Sequence, residues 1–193
     1  MSEGDRVGAV ILAAGASRRY GSPKQFVMID GRTLPEHAID AAVAAGLAPV
    51  VAVVPVWLRR PARLRAARLR WIRNPFPERG MSLSLRLGFD ALGDDADAAV
   101  ILLGDQPGLP PEGIGALLAA RGDRPVVASV MDGLLAPPIL VERSHFRLVG
   151  GLSGDHGLRE VLLADPELVR AVPLASRPAD LDTPDDLARV TRP

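Results

Sequence analysis

The stretch VGAVILAAGASRRYGSPK, residues 7–24, decides how the chain is organised. Its opening VGAVIL is apolar and rich in β-branched side chains, a pattern that predicts a buried strand. The strand breaks at AAG (residues 13–15), and a loop of small and cationic residues follows. Glycines let a ligand approach the backbone closely, while Arg18, Arg19 and Lys24 add positive charge. We therefore expect this first loop (residues 13–24) to bind a polyphosphate.

Lys24 is the only lysine in the chain, although lysine and arginine together number 23. The other 22 of these basic residues are arginines. A lysine ammonium is a compact point charge, whereas the arginine guanidinium is a planar fork. Two interpretations stay open: chance, or a need for a compact cation against phosphate oxygens at this position.

Composition limits the classes of protein that need to be considered. A length of 193 residues with 48% hydrophobic content predicts one domain spanning residues 1–193. Basic and acidic residues balance at 23 each, so no net field favours nucleic acid or an anionic membrane. The absence of cysteine excludes disulfides, thiolate metal sites and thiol nucleophiles. With a polar N-terminus and no long apolar run, we expect a soluble cytoplasmic protein without nucleic-acid or membrane partners.

Apolar runs and chain breakers predict alternating strands and helices. Thr33 and Glu36 have the spacing of a capping box and begin a helix that ends at Gly46. The continuous apolar runs at 49–54 and 98–103 are typical of strands buried on both faces of a parallel sheet. Further predicted elements are strands at 71–72, 125–130, 138–141 and 167–172, and helices at 82–92, at 110–121, from 158 onward and from 183 onward. The turn at Asp132-Gly133 joins two of these strands, so the fold class is α/β with a mostly parallel sheet and an antiparallel hairpin in its second half.

Residues 57–73 carry seven arginines interspersed with leucine and alanine. This spacing favours the solvated face of a helix over a nucleic-acid stripe, because single aromatic side chains do not interleave with the arginines as a stacking platform requires.

Asp105 follows the apolar run at 98–103 within the sequence GDQP. Ligands of open α/β sheets bind at the carboxyl ends of parallel strands, which makes Asp105 the most informative acid in the chain. An aspartate between glycine and proline can equally serve as a turn former. Two familiar nucleotide motifs are absent after the first strand: GxxxxGK[ST] and GxGxxG.

Five segments in order resemble the molybdenum cofactor cytidylyltransferases and their guanylyl relatives. They are LAAGASRRYGSPK (12–24), NPFPERGMSLSLRLGF (74–89), LLGDQP (102–107), LSGDHGLR (152–159) and LDTPDDL (181–187). The resemblance covers nearly the whole chain and implies a Rossmann-like, three-layer α/β/α nucleotidyltransferase. Such an enzyme binds a nucleoside triphosphate and Mg²⁺, transfers the nucleotidyl group to a phosphate-bearing acceptor and releases pyrophosphate.

The resemblance also assigns roles to charged residues. It implies that Arg18 and Lys24 hold the triphosphate and that Asp105 is the principal Mg²⁺ ligand. Asp182 would be the second ligand, although an acid at this position also suits the start of a helix. Asp155 is a further candidate for contact with the metal or the acceptor, or alternatively a helix N-cap. These roles suit phosphoryl chemistry, in which catalysis is chiefly positioning and neutralisation of charge.

The nucleotide is expected to contact small residues and backbone groups in two of the segments. Ser84 could read the edge of the base, or it could cap a helix. The sequence AA at 13–14 resembles the cytidylyl members, so we expect CTP rather than GTP. The nucleotide-binding residues implied by the resemblance are Leu12, Ala13, Ala14, Gly15, Ser17, Asn74, Gly80 and Ser84.

The acceptor side departs from the family pattern. Members that use molybdopterin tend to carry an Arg-Gly-His-Pro turn where this chain has LLAPP (134–138). The donor chemistry is therefore better supported than the acceptor, which the resemblance names as molybdopterin, with a molybdoenzyme or maturation partner downstream. Two alternatives stay open: another phosphorylated acceptor such as a sugar, polyol or phospholactate, and a non-catalytic nucleotide-binding module that delivers a cofactor.

Overall fold

The computed structural model describes residues 6–15, 17, 20–64, 69–174, 181, 186–187 and 189. Within these residues the chain alternates strands and helices around one seven-stranded sheet. The strands are β1 (Val7–Leu12), β2 (Met28–Ile29), β3 (Arg32–Thr33), β4 (Val50–Pro55), β5 (Leu69–Asn74), β6 (Ala98–Leu103), β7 (Val126–Met131), β8 (Leu134–Glu142) and β9 (Val169–Pro173). The α-helices are α1 (Leu34–Ala44), α2 (Met81–Leu92), α3 (Pro111–Ala119), α4 (Arg147–Gly150) and α5 (Leu158–Ala164).

The large sheet has the strand order β5-β4-β1-β6-β8-β7-β9, and β2 and β3 form a separate antiparallel pair. β1 pairs in parallel with both β4 and β6, as the apolar runs of these strands predict. β8 runs antiparallel to both of its neighbours, β6 and β7, while β9 is parallel to β7. This arrangement confirms the mostly parallel sheet with an antiparallel hairpin in its second half.

Helices cover both faces of the sheet, and an apolar layer of buried side chains lies between the helices and the sheet on each face. On one face, α1 and α3 pack on alternate strand residues such as Ile11. On the other face, α2, α4 and α5 pack on the intervening residues, among them Val10. Since successive side chains of a strand point to opposite faces, one short segment such as β1 contributes to both layers. The result is the expected three-layer α/β/α architecture.

The predicted capping box at the start of α1 is present. Glu36 Oε2 accepts hydrogen bonds from the Thr33 backbone N–H at 2.8 Å and from the Thr33 hydroxyl at 2.6 Å. Arg63 also pairs with this carboxylate, which is buried. Burial raises the pKa of Glu36, but the hydrogen bonds from Thr33 and Arg63 outweigh that effect and leave the pKa below its ordinary value.

The helix expected across the arginine-rich stretch is wrong for the residues that the structure describes. Residues 58–61 are irregular, Ala62–Leu64 form one 3-10 turn, and β5 then includes the predicted short strand at 71–72. Pro61 lacks the N–H that an uninterrupted helix would need. Residues 65–68 lie outside the described part of the chain.

Backbone carbonyl groups bind Arg60, in the stretch where a solvated helix face was expected. The Arg60 guanidinium donates to the Leu64 carbonyl at 2.9 Å and to the Leu69 carbonyl at 3.2 Å. These contacts fasten the segment to the start of β5. Arg60 is therefore a structural tie of the sheet edge, a role that the spacing of the arginines alone does not reveal.

The returning strand of the second-half hairpin begins earlier than the predicted Pro138. Asp132 and Gly133 form the expected tight turn, with φ of 52° and 75°. β8 starts directly after them, so residues 134–138 belong to a strand. The Ser129 hydroxyl donates to the Ala136 carbonyl at 2.5 Å, where the register of the two strands shifts.

None of the helices among the described residues is both long enough and apolar enough to cross a membrane.

Candidate active site

The carboxyl ends of β1 and β6 meet because the two strands are adjacent and parallel, with Leu12 paired to Leu103. The Gly104 N–H donates to the Leu12 carbonyl at 2.9 Å. A Cβ on Gly104 would lie 2.7 Å from the Ala13 Cβ, so only glycine allows this approach. The first loop and Asp105 are thereby brought to one place, although they are distant in sequence.

A cleft of about 360 Å³ opens at this edge of the sheet. Its walls come from the end of β1 with the first loop, the start of α2 with the turn before it, the end of β6, and the loop at residues 152–157, which we call the Gly154 loop. The predicted site residues that line the cleft are Leu12, Ala13, Ala14, Gly15, Ser17, Lys24, Gly80, Ser84, Asp105 and Asp155. Arg18 and Asp182, which the resemblance also implies, lie outside the described residues.

Lys24 and Asp105 form an ion pair in the cleft, with 3.1 Å between Lys24 Nζ and Asp105 Oδ2. The Lys24 side chain is 9% exposed, whereas that of Asp105 is 37% exposed. The Lys24 backbone N–H also donates to the Ser17 hydroxyl at 3.1 Å. The cation is therefore largely withdrawn from water and held in place, while its carboxylate partner still faces the cleft.

The oxygen donors of the cleft suit a divalent cation. Asp105 and Asp155 both line it, and Mg²⁺ usually takes one or two carboxylates together with substrate phosphates and waters. Among the described residues no three His, Asp or Glu side chains cluster closely enough to hold a metal by themselves. The chemistry of this donor set therefore fits a hard cation that arrives together with phosphate.

Ser84 lines the cleft, and a hydrogen bond from the Asn74 side chain holds its hydroxyl in place. The Asn74 side chain is fully buried, donates to the Ser84 hydroxyl at 3.0 Å and accepts from the Phe76 N–H at 2.9 Å. Asn74 is not on the cleft wall, so in this conformation any influence on a nucleotide passes through Ser84. Ser84 lies within α2, whose N-cap is Gly80, so the interpretation of Ser84 as a helix cap is wrong.

Gly80 joins the start of α2 to the Gly154 loop. Its φ is +87°, and a Cβ there would overlap the Gly154 backbone and lie 2.7 Å from the Asp155 nitrogen. The Ser82 N–H donates to the Gly154 carbonyl at 3.1 Å. This packing carries Asp155 to the cleft. The N-cap of α5 is Gly157, so Asp155 does not take the alternative role of cap.

Gln25 is a cleft residue that the motif comparison does not single out. Its side-chain Nε2 donates to the Ala13 carbonyl at 2.9 Å and to the Gly15 carbonyl at 2.8 Å. The residue is 5% exposed, and its Oε1 has no hydrogen-bond partner among the described residues. A polar residue directly after the single lysine, where the first loop ends, is the one sequence signal that could have drawn attention to it.

Comparison with known families gives a match over most of the chain. The model of the MobA-like NTP transferase domain matches residues 9–170. That span contains most of β1, together with the first loop, α2, Asp105 and the Gly154 loop. It ends before Asp182.

Two relatives in sequence and one solved structure of similar fold match along nearly the full length. Purine catabolism protein PucB of Bacillus subtilis is 31% identical over 206 residues, covering 95% of each chain. Nicotine blue oxidoreductase of Paenarthrobacter nicotinovorans is 30% identical over 197 residues, covering 95% of this chain and 96% of the relative. The Rv0371c protein of Mycobacterium tuberculosis, solved in complex with manganese, superposes with a TM-score of 0.75 at 23% identity, covering 96% and 97% of the two chains.

Proposed function

The chain belongs to the MobA-like NTP transferase family, and from that premise we propose that it transfers CMP from CTP to a phosphate-bearing acceptor of the molybdopterin type, with Mg²⁺, and releases pyrophosphate. Membership makes it a nucleotidyl transfer enzyme. The proposal concerns the identity of the nucleotide, the metal and the acceptor. We also propose that the reaction takes place in the cytoplasm.

The observation that carries this proposal is the ion pair of Lys24 and Asp105 in a cleft walled by backbone. Attack of a phosphate oxygen on the α-phosphorus brings like charges together, so the site must supply a cation for the phosphates and an anion for a metal. Lys24 is the chain's only lysine, and Asp105 Oδ2 is 3.1 Å from its ammonium. Arg18 is proposed as the second cation on the triphosphate.

Asp105 is proposed as the principal metal ligand, with Asp182 as the second and Asp155 beside the metal or acceptor. Mg²⁺, when bound, would neutralise charge on the phosphates and orient them. The mycobacterial protein of similar fold has been solved with manganese, and Mn²⁺ shares the preference of Mg²⁺ for oxygen ligands. The activity assay should therefore be run with Mg²⁺ and, separately, with Mn²⁺.

The preference for CTP rests on the wall of the cleft around the base. Ala13 and Ala14 present backbone groups with little side-chain bulk, as in the cytidylyl members that the sequence resembles. The Ser84 hydroxyl can both donate and accept, so it can read either the amino or the carbonyl group of cytosine. Asn74 holds that hydroxyl at 3.0 Å.

The acceptor is argued from the order of the five motifs. Two relatives are named for purine catabolism and for nicotine blue, and these names belong to those proteins. Residues 134–138, which depart from the molybdopterin pattern, lie in β8 and do not line the cleft. We propose that the product passes to a molybdoenzyme or a maturation partner.

A panel of nucleotides and acceptors, scored by pyrophosphate release, tests the proposal. We expect release from CTP with molybdenum-loaded molybdopterin and Mg²⁺ or Mn²⁺, less release from GTP, and none after chelation of the metal. Release that occurs only with a phosphorylated sugar, polyol or phospholactate would overturn the molybdopterin assignment. A preference for GTP over CTP would overturn the choice of nucleotide.

A further inference from the structure

We infer that Gln25 is the positioning residue of the nucleotide site and holds the first loop in the conformation that binds the triphosphate. This inference rests on the proposed function, because it requires the cleft to bind a nucleoside triphosphate. Gln25 acts on the loop backbone and need not touch the reacting atoms.

Gln25 and its neighbour Lys24 fasten the first loop at three alternate residues. The Gln25 amide nitrogen donates to the carbonyls of Ala13 and Gly15, at 2.9 and 2.8 Å. The Lys24 backbone N–H donates to the Ser17 hydroxyl at 3.1 Å. The AAGAS sequence of residues 13–17 has no long side chains with which to hold itself, so these contacts fasten this part of the loop.

The direction of the Gln25 contacts determines what the loop offers to a ligand. In a trans peptide the C=O and the following N–H point in opposite directions. Because the Ala13 carbonyl faces the Gln25 amide, the Ala14 N–H points away from it. Carbonyl groups that would repel phosphate are thus bound by protein, and the Ala14 N–H, which shares a peptide with the Ala13 carbonyl, is left for an anion.

The orientation of the amide is set by the loop and not by the surroundings of Gln25. Reversing the amide would place its oxygen against two carbonyl oxygens, so Nε2 must face Ala13 and Gly15. In this orientation Oε1 is buried without a partner among the described residues. A buried acceptor without a partner is unfavourable, which indicates that the position is shaped for the loop conformation and not for stability alone.

Two substitutions separate positioning of the loop from simple packing. Gln25→Met keeps the size and shape of the side chain but cannot donate, and Gln25→Glu places a carboxylate against the two carbonyls. The control is Phe26→Leu, because Phe26 is the next residue but is 60% exposed and packs on Trp57. Calorimetric titration with CTP and Mg²⁺, without acceptor, gives the affinity, and thermal melting with circular dichroism reports folding.

We expect Gln25→Met to bind CTP about 10- to 100-fold more weakly, as two lost hydrogen bonds predict, and Gln25→Glu to bind it more weakly still. The KM for the nucleotide should rise while the KM for the acceptor stays unchanged. Phe26→Leu should bind within about twofold of the wild type. A purely structural role would instead lower the melting temperature and leave the affinity of the folded protein unaltered.

Wild-type affinity in a folded Gln25→Met protein would overturn the inference. If that variant does not fold, Gln25→Glu carries the test, and wild-type affinity in its folded form would overturn the inference equally. Failure of the wild type to bind CTP, GTP, UTP or ATP would reject the proposed function together with this inference. Binding by the wild type with unchanged variants rejects the role of Gln25 alone.

Discussion

At the scale of single residues, Lys24 is both the only lysine in the sequence and a charged residue of the cleft. Its ammonium is largely buried and 3.1 Å from Asp105 Oδ2, in a space formed by the end of β6 and the first loop. Such a space accepts a compact ammonium more readily than a planar guanidinium with five donors. The structure therefore favours the interpretation that this position requires lysine.

Lys24→Arg should lower kcat/KM on the order of 10- to 100-fold although the charge is kept, because the larger guanidinium cannot occupy the same position beside Asp105. Pyrophosphate release with CTP, Mg²⁺ and acceptor measures the loss. The reverse exchange at an exposed position, Arg59→Lys, is the control and should leave the rate unchanged. Full activity of Lys24→Arg would show that any cation suffices.

At the scale of elements, the start of α2 and the Gly154 loop form one wall of the cleft. Gly80 permits their contact, and the hydrogen bond from the Ser82 N–H to the Gly154 carbonyl fixes it at 3.1 Å. Ser84 and Asp155 therefore face the cleft from segments that are packed together. Displacing one segment should move both side chains.

Gly80→Ala should destabilise the protein by about 1–3 kcal/mol and reduce turnover, since the new Cβ meets backbone and the φ of +87° disfavours a side chain. Urea unfolding and the pyrophosphate assay measure the two effects. The matched control is Gly115→Ala within α3, where a Cβ would meet nothing within 4 Å. That control should stabilise the helix by roughly 0.5–1 kcal/mol. Equal effects of the two substitutions would contradict the account of Gly80.

At the scale of the whole molecule, one sheet extends from β5 at one edge to β9 at the other. Both faces are covered by helices from both halves of the chain. No strand of the large sheet stands apart from its neighbours, so the halves should unfold together. The prediction that residues 1–193 form one domain can be tested in this way.

Leu162→Ala should lower the free energy of unfolding by about 2–5 kcal/mol, because Leu162 is fully buried in α5. If the molecule is one cooperative unit, fluorescence of Trp57 and Trp71 in the first half should report the same shift as far-UV circular dichroism. Leu163→Ala is the control, since Leu163 is 58% exposed in the same helix. Separate transitions by the two probes would indicate two independent units.

Local patterns predicted much of the secondary structure. The apolar runs gave β1 and β6 their observed bounds, and Thr33 with Glu36 marked the start of α1, because each of these signals lies within a few residues. The prediction of a helix across the arginine-rich stretch was wrong, since leucines at helical spacing also suit an irregular segment in which Arg60 binds nearby carbonyls. Pro61 is the local feature that opposed a helix there.

The sequence by itself determined most of the strands and helices of the large sheet, the fold class and the family, because strand and helix patterns and motifs are properties of contiguous residues. Only the tertiary structure decided that Lys24 and Asp105, 81 positions apart, form an ion pair, that Asn74 supports Ser84 from behind, and that Gln25 holds the first loop. These contacts depend on which strands become neighbours and on side-chain packing that is accurate to a few tenths of an ångström. The pattern of residues along the chain specifies neither the neighbours of a strand nor the distances between packed side chains.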